Sequence, residues 1–465
     1  MTAVPSTTLH GDGHGVHHDR DPRVDELLNR VQRPALLAAA AGIVLLLIGA
    51  VVHHADNFFQ AYLYAYLFWT GISLGCFSIL LLAHLVGGTW GAVIRRPLEA
   101  GSRLIPLMAV LFVPILFGIH RLYEWDHDSW RQAHNSELMW FKLAWLSKGW
   151  FIVRTVIYFA VWITLMLLIN RWGDEQDRTA DPRIFRRLQS FAGPGLVIYV
   201  ATMTLAAVDW AMSLDPAWLS TIYGLLFVVG QALGTMALVI ALMAALSAHR
   251  PFAGVVSIPI FHDLGNLLMA FTMLWAYFSF SQYLIIWSAN IAEETPYYVA
   301  RTHTGWKYVA LFLVVFHFFV PFLLLLWRRT KRNLRALMGV AGSIAVLRLV
   351  DLFWVIVPSF GHEGAGHGSK QLAEAAGEGG AAVHGAANGA ADAATQAATQ
   401  MAADGAHAAA DAAHHGGWWH AWMYPAAAAA IGGLFVFAFV WQLKRRPLLP
   451  LHDPRLEALA AGGHH

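Results

Sequence analysis

Ten stretches of this chain are apolar over the roughly 20 residues that an α-helix needs to cross a bilayer. They fall at about residues 34–54, 58–86, 104–122, 150–170, 191–212, 219–247, 263–288, 306–328, 334–357 and 420–442. Buried helices of a large soluble core would carry polar faces between them, and these stretches lack such faces. The balance of 57% hydrophobic to 13% charged residues, with 20 Trp, lies far outside that of a soluble domain. The expected fold class is therefore an all-α integral membrane protein with ten transmembrane helices. Residues 1–33 are polar and no small-residue cleavage site follows the first stretch, so that stretch reads as a span and not as a secretory signal.

An internal repeat organises the spans. Gly71 and Gly75 form a G-x-x-x-G in the second span, and Gly230 and Gly234 form one in the sixth. Leu122-x-x-Trp125 closes the third as Leu284-x-x-Trp287 closes the seventh. Gly149-Trp150 opens the fourth and Gly305-Trp306 the eighth, while Asp209 ends the fifth and Asp351 the ninth. Four matches in one order indicate a duplication of four helices. Because equivalent helices are four apart, the repeat is parallel.

The expected organisation is a polar tail at 1–33, helix 1 at 34–57, a first four-helix bundle at 58–213 (helices 2–5) and a second at 214–358 (helices 6–9). An Ala/Gly/His-rich insert at 359–418, helix 10 at 419–443 and a tail at 444–465 follow. Helices 1 and 10 are peripheral. The hinge Ala206–Gly224, with its turn-forming Asp215-Pro216, makes spans five and six antiparallel neighbours. The G-x-x-x-G pairs serve close helix packing, and the insert has no sustained apolar stripe, so it reads as disordered.

Basic residues cluster before span one (Arg20, Arg23, Arg30, Arg33) and in the loop after span two (Arg95, Arg96, Arg103). Others lie after span four (Arg171, Arg178, Arg183, Arg186, Arg187), after span eight (Arg328, Arg329, Lys331, Arg332) and after span ten (Lys444, Arg445, Arg446). The positive-inside rule makes these loops and both termini cytoplasmic; the loop after span three, with Arg121, Arg131, Lys142 and Lys148, is outvoted. A formal net charge of +2 gives no argument for a nucleic-acid partner, and none is expected.

The single cysteine, Cys76, cannot hold an iron–sulfur cluster or attach a c-type haem. The membrane histidines are too few and scattered for a pair of haems or a haem–copper centre, so no redox cofactor and no metal is expected in this chain. Ionisable groups within spans are costly and need a reason. His120, Glu124, Asp209, Arg348 and Asp351 fall toward the outer half, His84 and Asp263 toward the cytoplasmic half, and His317 near the middle. These eight are the candidate proton-path residues; no catalytic residue is expected. Arg348 and Asp351, three apart, either neutralise each other as a fixed pair or join a relay. Pro321 frees the carbonyl of His317 from the helix ladder, and Pro114 that of Val110.

Ten helices, a parallel repeat of four and no cofactor ligands resemble the NrfD/polysulfide-reductase family of membrane subunits, most closely the second NrfD-like (F) subunit of bacterial alternative complex III. The residues that carry the resemblance are Gly87-Gly88-Thr89-Trp90-Gly91, Val93-Ile94-Arg95-Arg96-Pro97-Leu98-Glu99, Val208-Asp209-Trp210-Ala211-Met212-Ser213-Leu214 and Ser220-Thr221-Ile222-Tyr223-Gly224. It covers residues 30–357 and 420–446. The resemblance implies a subunit of a quinol:cytochrome c or other electron-acceptor oxidoreductase in the bacterial inner membrane. It further implies haem c and iron–sulfur clusters in partners: an iron–sulfur subunit, multihaem and monohaem cytochrome c subunits, a paralogous C subunit credited with quinol oxidation, small membrane subunits and, in some assemblies, a terminal oxidase. This chain would be scaffold and proton path. Two other readings stay open: a menaquinol or quinone site of its own, and a secondary transporter.

The charge distribution makes a direct prediction. Reporter fusions should place residues 1–33 and 444–465 in the cytoplasm and residues 359–418 outside it; termini reporting from the outside would overturn the orientation.

Overall fold

The computed structural model describes residues 21–53, 55–133, 140–252, 256–291, 294–302, 304–361, 420–450 and 452–456. The insert beyond residue 361 and most of both tails lie outside these. Among the described residues ten helices are long and apolar enough to span a membrane: α1 (Pro22–Val52), α2 (Ala55–Val86), α3 (Thr89–Phe117), α4 (Lys148–Thr179), α5 (Pro182–Leu214), α6 (Tyr223–Leu246), α7 (Ile258–Ala289), α8 (Trp306–Leu326), α9 (Leu334–Phe360) and α10 (Met423–Lys444). Among the described residues there is no strand.

Several helices extend past their apolar stretch, and the physical signals are plain. Asp181 caps α5 by accepting from Arg183 N at 2.9 Å with Pro182 in the first turn, the arrangement that satisfies an orphan N–H where proline has none to lose. Asp21 does the same for α1. The largest departure is at α3. Residues 89–102, with Arg95 and Arg96 expected in a loop, form its buried first turns.

The two groups of four spans repeat their packing. α2 touches α3, α3 touches α4, α4 touches α5 and α5 returns to α2; α6 with α7, α7 with α8, α8 with α9 and α9 with α6 close a second ring in the same order. The rings meet chiefly through α2, α5 and α6, and α2 is buried on nearly every side. α5 and α6 are antiparallel neighbours: α5 ends in the 3-10 turn Met212–Leu214, where Ser213 Oγ donates to the Asp209 carbonyl, and the chain then turns at Asp215, whose carbonyl accepts from Trp218 N at 3.1 Å. Helices α1 and α10 pack on each other, and both lie against α2.

Glycine sets these distances where helices cross. A Cβ on Gly75 would collide with the Gln231 carbonyl and Thr235 Oγ1 of α6, and one on Gly71 would press on Gln231. Gly230, the matching position in α6, leaves room not for a backbone but for the Arg348 guanidinium of α9. At the periphery Gly42 and Gly433 bring α1 and α10 into backbone contact.

Prolines mark the irregular spans. α3 is segmented as Ile105–Leu111 and Val113–Phe117 around Pro114, and α8 carries a π-helical turn, Val314–Phe319, just before Pro321. His317 sits inside that turn.

Since α2 and α6 touch at Gly75, Gly75→Ala should lower the thermal stability of the purified protein by the cost of overpacking, about 1–3 kcal/mol. Gly339→Ala, in a helix with nothing within 4 Å of the added carbon, should leave it unchanged or raise it slightly. Equal melting temperatures for both variants would refute close packing at this crossing.

Candidate functional site: three buried polar clusters

The eight expected residues do not form one chain of contacts; most resolve into separate clusters at different depths. Call the end of the helices carrying Arg95, Arg186 and Arg332 the basic end.

Toward the other end, Asp209 is fully buried and accepts four hydrogen bonds: from Arg154 Nε at 2.8 Å and Nη2 at 2.9 Å, Tyr158 OH at 2.8 Å and Trp145 Nε1 at 3.0 Å. Arg154 also lies over the Trp145 ring, 4.1 Å from its centroid, and donates to the Trp145 carbonyl at 3.0 Å. A carboxylate with all its lone pairs engaged and a forked guanidinium opposite is held firmly in place. Next to it, Trp210 is enclosed by Tyr66, Phe112, Phe159 and Trp162, its Nε1 donating to Thr155 at 3.2 Å while Tyr123 OH donates to its carbonyl at 3.0 Å. His120, by contrast, is exposed, 3.3 Å from Asp126 and edge-on to His127; Glu124 begins the short turn Glu124–Asp126.

The second cluster joins α7, α8 and α9. Arg348 pairs with Asp351 one turn along α9, and Trp275 Nε1 of α7 donates to the same carboxylate at 3.1 Å. The His317 ring stands edge-on to Trp275, with centroids 4.5 Å apart. His317 is fully buried, yet among the described residues neither ring nitrogen has a hydrogen-bond partner. An orphaned buried imidazole is expensive, so His317 stands to gain from a transient partner.

The third cluster lies at the basic end; from sequence, His84 is a proton-path candidate, while Arg95, Arg96 and Arg103 read as loop charge. Glu99 accepts from Arg95 Nε at 2.7 Å and Arg96 Nη1 at 2.6 Å, all three being buried. Arg95 also donates to Gln176 at 2.8 Å and Asp453 at 3.2 Å, and Arg96 pairs with Asp177. Arg103 and Arg446 share Asp174. Arg455 grips Asp453 at 2.9 and 2.8 Å and donates to the Ala83 carbonyl at 3.1 Å, so the segment after α10 folds back over the ends of α2, α3 and α4. His84, also buried, is within electrostatic reach of Arg95, Arg455, Glu99 and Asp453. Asp263 stands apart, half-exposed and 3.7 Å from His262.

Sequence reasoning missed Glu99, Asp177, Asp453, Arg455, Tyr158 and Trp145. The i,i+4 spacing of Arg95 and Glu99 and the i,i+3 spacing of Arg96 and Glu99 were the available signal; contacts to residues 81 and 358 positions away had none. Among the described residues no group of three or more His, Cys, Asp or Glu is arranged to hold a metal. No protein-family model and no curated protein matches the chain.

Burial alone would raise the Asp453 carboxyl, but the Arg455 hydrogen bonds and the charges of Arg455 and Arg95 overcome it and hold the group below the usual carboxylate range. A carboxyl depressed in the folded state contributes its stability in full above its unfolded value of about 3.9 and loses it as pH falls further. Hydrogen exchange in the segment carrying Asp453 and Arg455 should therefore be slow and nearly pH-independent, after correction for intrinsic rates, from about pH 5 to 8. It should accelerate below about pH 4. Asp453→Asn should exchange fast at every pH; slow exchange in that variant would show the segment to be held by other contacts.

Proposed function

We propose that this chain is an integral membrane subunit of a respiratory quinol:electron-acceptor oxidoreductase of the alternative complex III kind, acting as scaffold and proton route with no redox centre of its own. The observation that supports it most is the recurrence, in two four-helix rings, of a buried carboxylate held by a guanidinium and an indole N–H: Asp209 with Arg154 and Trp145, Asp351 with Arg348 and Trp275. Buried ionisable groups within spans are kept where they pair, face a bundle interior or line water.

In this reading the basic end faces the cytoplasm of a bacterial cell, and electrons run outside the membrane through haem c and iron–sulfur centres of partner subunits. A paralogous subunit oxidises the quinol. This chain holds that assembly and supplies protonatable groups. His317 takes a proton on one ring nitrogen and releases it from the other, while the π-turn around it, opened ahead of Pro321, gives the backbone slack that a regular helix lacks. Asp209 and Asp351 fix the local field at matching ends of the two rings.

Two measurements test this. Affinity purification from native membranes should bring multihaem cytochromes in fixed stoichiometry; a chain that purifies without any haem protein would favour a transporter. In the assembled complex, His317→Phe should lower quinol-driven proton release on the order of a hundredfold, as for loss of a positioned proton-transfer group, and Asp209→Asn should lower it through the loss of the field that Asp209 sets. If both variants assemble and leave quinol oxidation and proton stoichiometry unchanged, these residues are structural and the proton route is refuted.

A further inference from the structure

At the basic end, α8 stops at Leu326 and the chain turns extended at Trp327 (ψ 121°) before a short helix, Arg328–Arg332. Asn333 then starts α9, its side chain accepting from Arg335 N at 3.1 Å and Ala336 N at 3.3 Å. The two helix ends frame an open basin of about 280 Å³ lined by Arg328, Arg329, Arg332 and Asn333. Among the described residues no carboxylate pairs with any of the three arginines, in contrast to the arginines of the neighbouring buried cluster, each of which has an acidic partner.

The charge around this basin is uncompensated. Lys331, on the same short helix, is buried and donates to the neutral Asn266 amide at 2.6 Å; burial first, then the Arg328 charge, lowers its proton affinity. Asp263, on the helix against which Arg328–Arg332 packs, is engaged with His262 at 3.7 Å. Like charges held together without a counter-charge repel, and an arrangement of guanidinium forks answers to a group with several anionic oxygens. Just beyond the basin, on the membrane side, Leu323, Leu326 and Trp327 are 53%, 50% and 66% exposed, an apolar strip that leads from the arginines along α8.

We propose that this basin binds the phosphate of an anionic phospholipid of the leaflet at the basic end, with its acyl chains lying along Leu323, Leu326 and Trp327. The apolar strip selects a lipid over free phosphate: a soluble anion would satisfy the guanidiniums and leave the strip uncovered. The basin is wide enough for a phosphate with its glycerol, being several times the roughly 30 Å³ share of one water.

The test uses the full-length purified protein in detergent, titrated with phosphatidylglycerol, phosphatidylethanolamine or inorganic phosphate, with bound copies counted by native mass spectrometry. One phosphatidylglycerol should bind well ahead of phosphatidylethanolamine, and millimolar phosphate should not displace it. Arg328→Gln/Arg329→Gln/Arg332→Gln should weaken that binding on the order of a hundredfold, as the loss of three interfacial cations implies. Arg183→Gln/Arg186→Gln/Arg187→Gln, which removes the same charge from the same end outside the basin, should change it less than about twofold on the same scale. Arg332→Gln alone, expected to weaken binding on the order of fivefold, keeps the assignment testable should the triple variant fail to fold. Equal losses in the two triple variants, or in Arg332→Gln and Arg186→Gln, would reduce the effect to bulk charge and overturn the site. Phosphate binding with no preference for the lipid would overturn the lipid as its occupant.

Discussion

The packing of α2 on α6 is the contact on which the rest of the molecule depends. Between apolar helices in lipid there is no water to expel, so association must come from close van der Waals approach and interhelical hydrogen bonds. Gly71 and Gly75 let the α6 backbone come that near, and Thr235 then reaches the Ile72 carbonyl at 3.2 Å across the crossing. The same approach governs the charges. Gly230, on the other side of α6, leaves the space that Arg348 fills, and Arg348 in turn neutralises Asp351. A side chain at Gly230 would have to displace a guanidinium from its carboxylate, so a packing residue and an electrostatic residue are one device here.

What the sequence made legible follows from the same physics. Span number, the repeat, the antiparallel turn after Trp210 and the irregularity at Pro114 and Pro321 all arise from local signals: apolar length, glycine spacing, proline chemistry. The pairing of Arg348 with Asp351 was readable as well, since it needs only a three-residue offset on one helix. Asp209 was visible as an anomaly in an apolar run, yet its partners were not, because Arg154 and Trp145 come from other elements and nothing in spacing links them. The sharpest misreading concerned Arg95 and Arg96. Arginine near a span end normally signals a solvated loop, but Pro97 did not stop the helix, and Glu99, Asp177 and Asp453 converge to offset the cost of burying two guanidiniums. Such convergence is a tertiary fact that composition does not reveal.

The two rings carry the same carboxylate in different electrostatic circumstances, and that difference bears on mechanism. In the first ring, Asp209 is saturated: four donors from three residues leave it no lone pair for a mobile proton without breaking a bond to a buried arginine, a loss that would cost about 3–5 kcal/mol by analogy with other buried pairs. In the second, Asp351 has an arginine from its own helix and one indole donor, and beside that indole stands an imidazole whose nitrogens have no hydrogen-bond partner among the described residues. A relay group must exchange partners at low cost, and unmet capacity is what lowers that cost. The two rings thus hold one carboxylate as a fixed strut and the other beside an imidazole with no hydrogen-bond partner among the described residues, which is why the function proposed above assigns proton exchange to His317 and leaves Asp209 to hold α4 to α5.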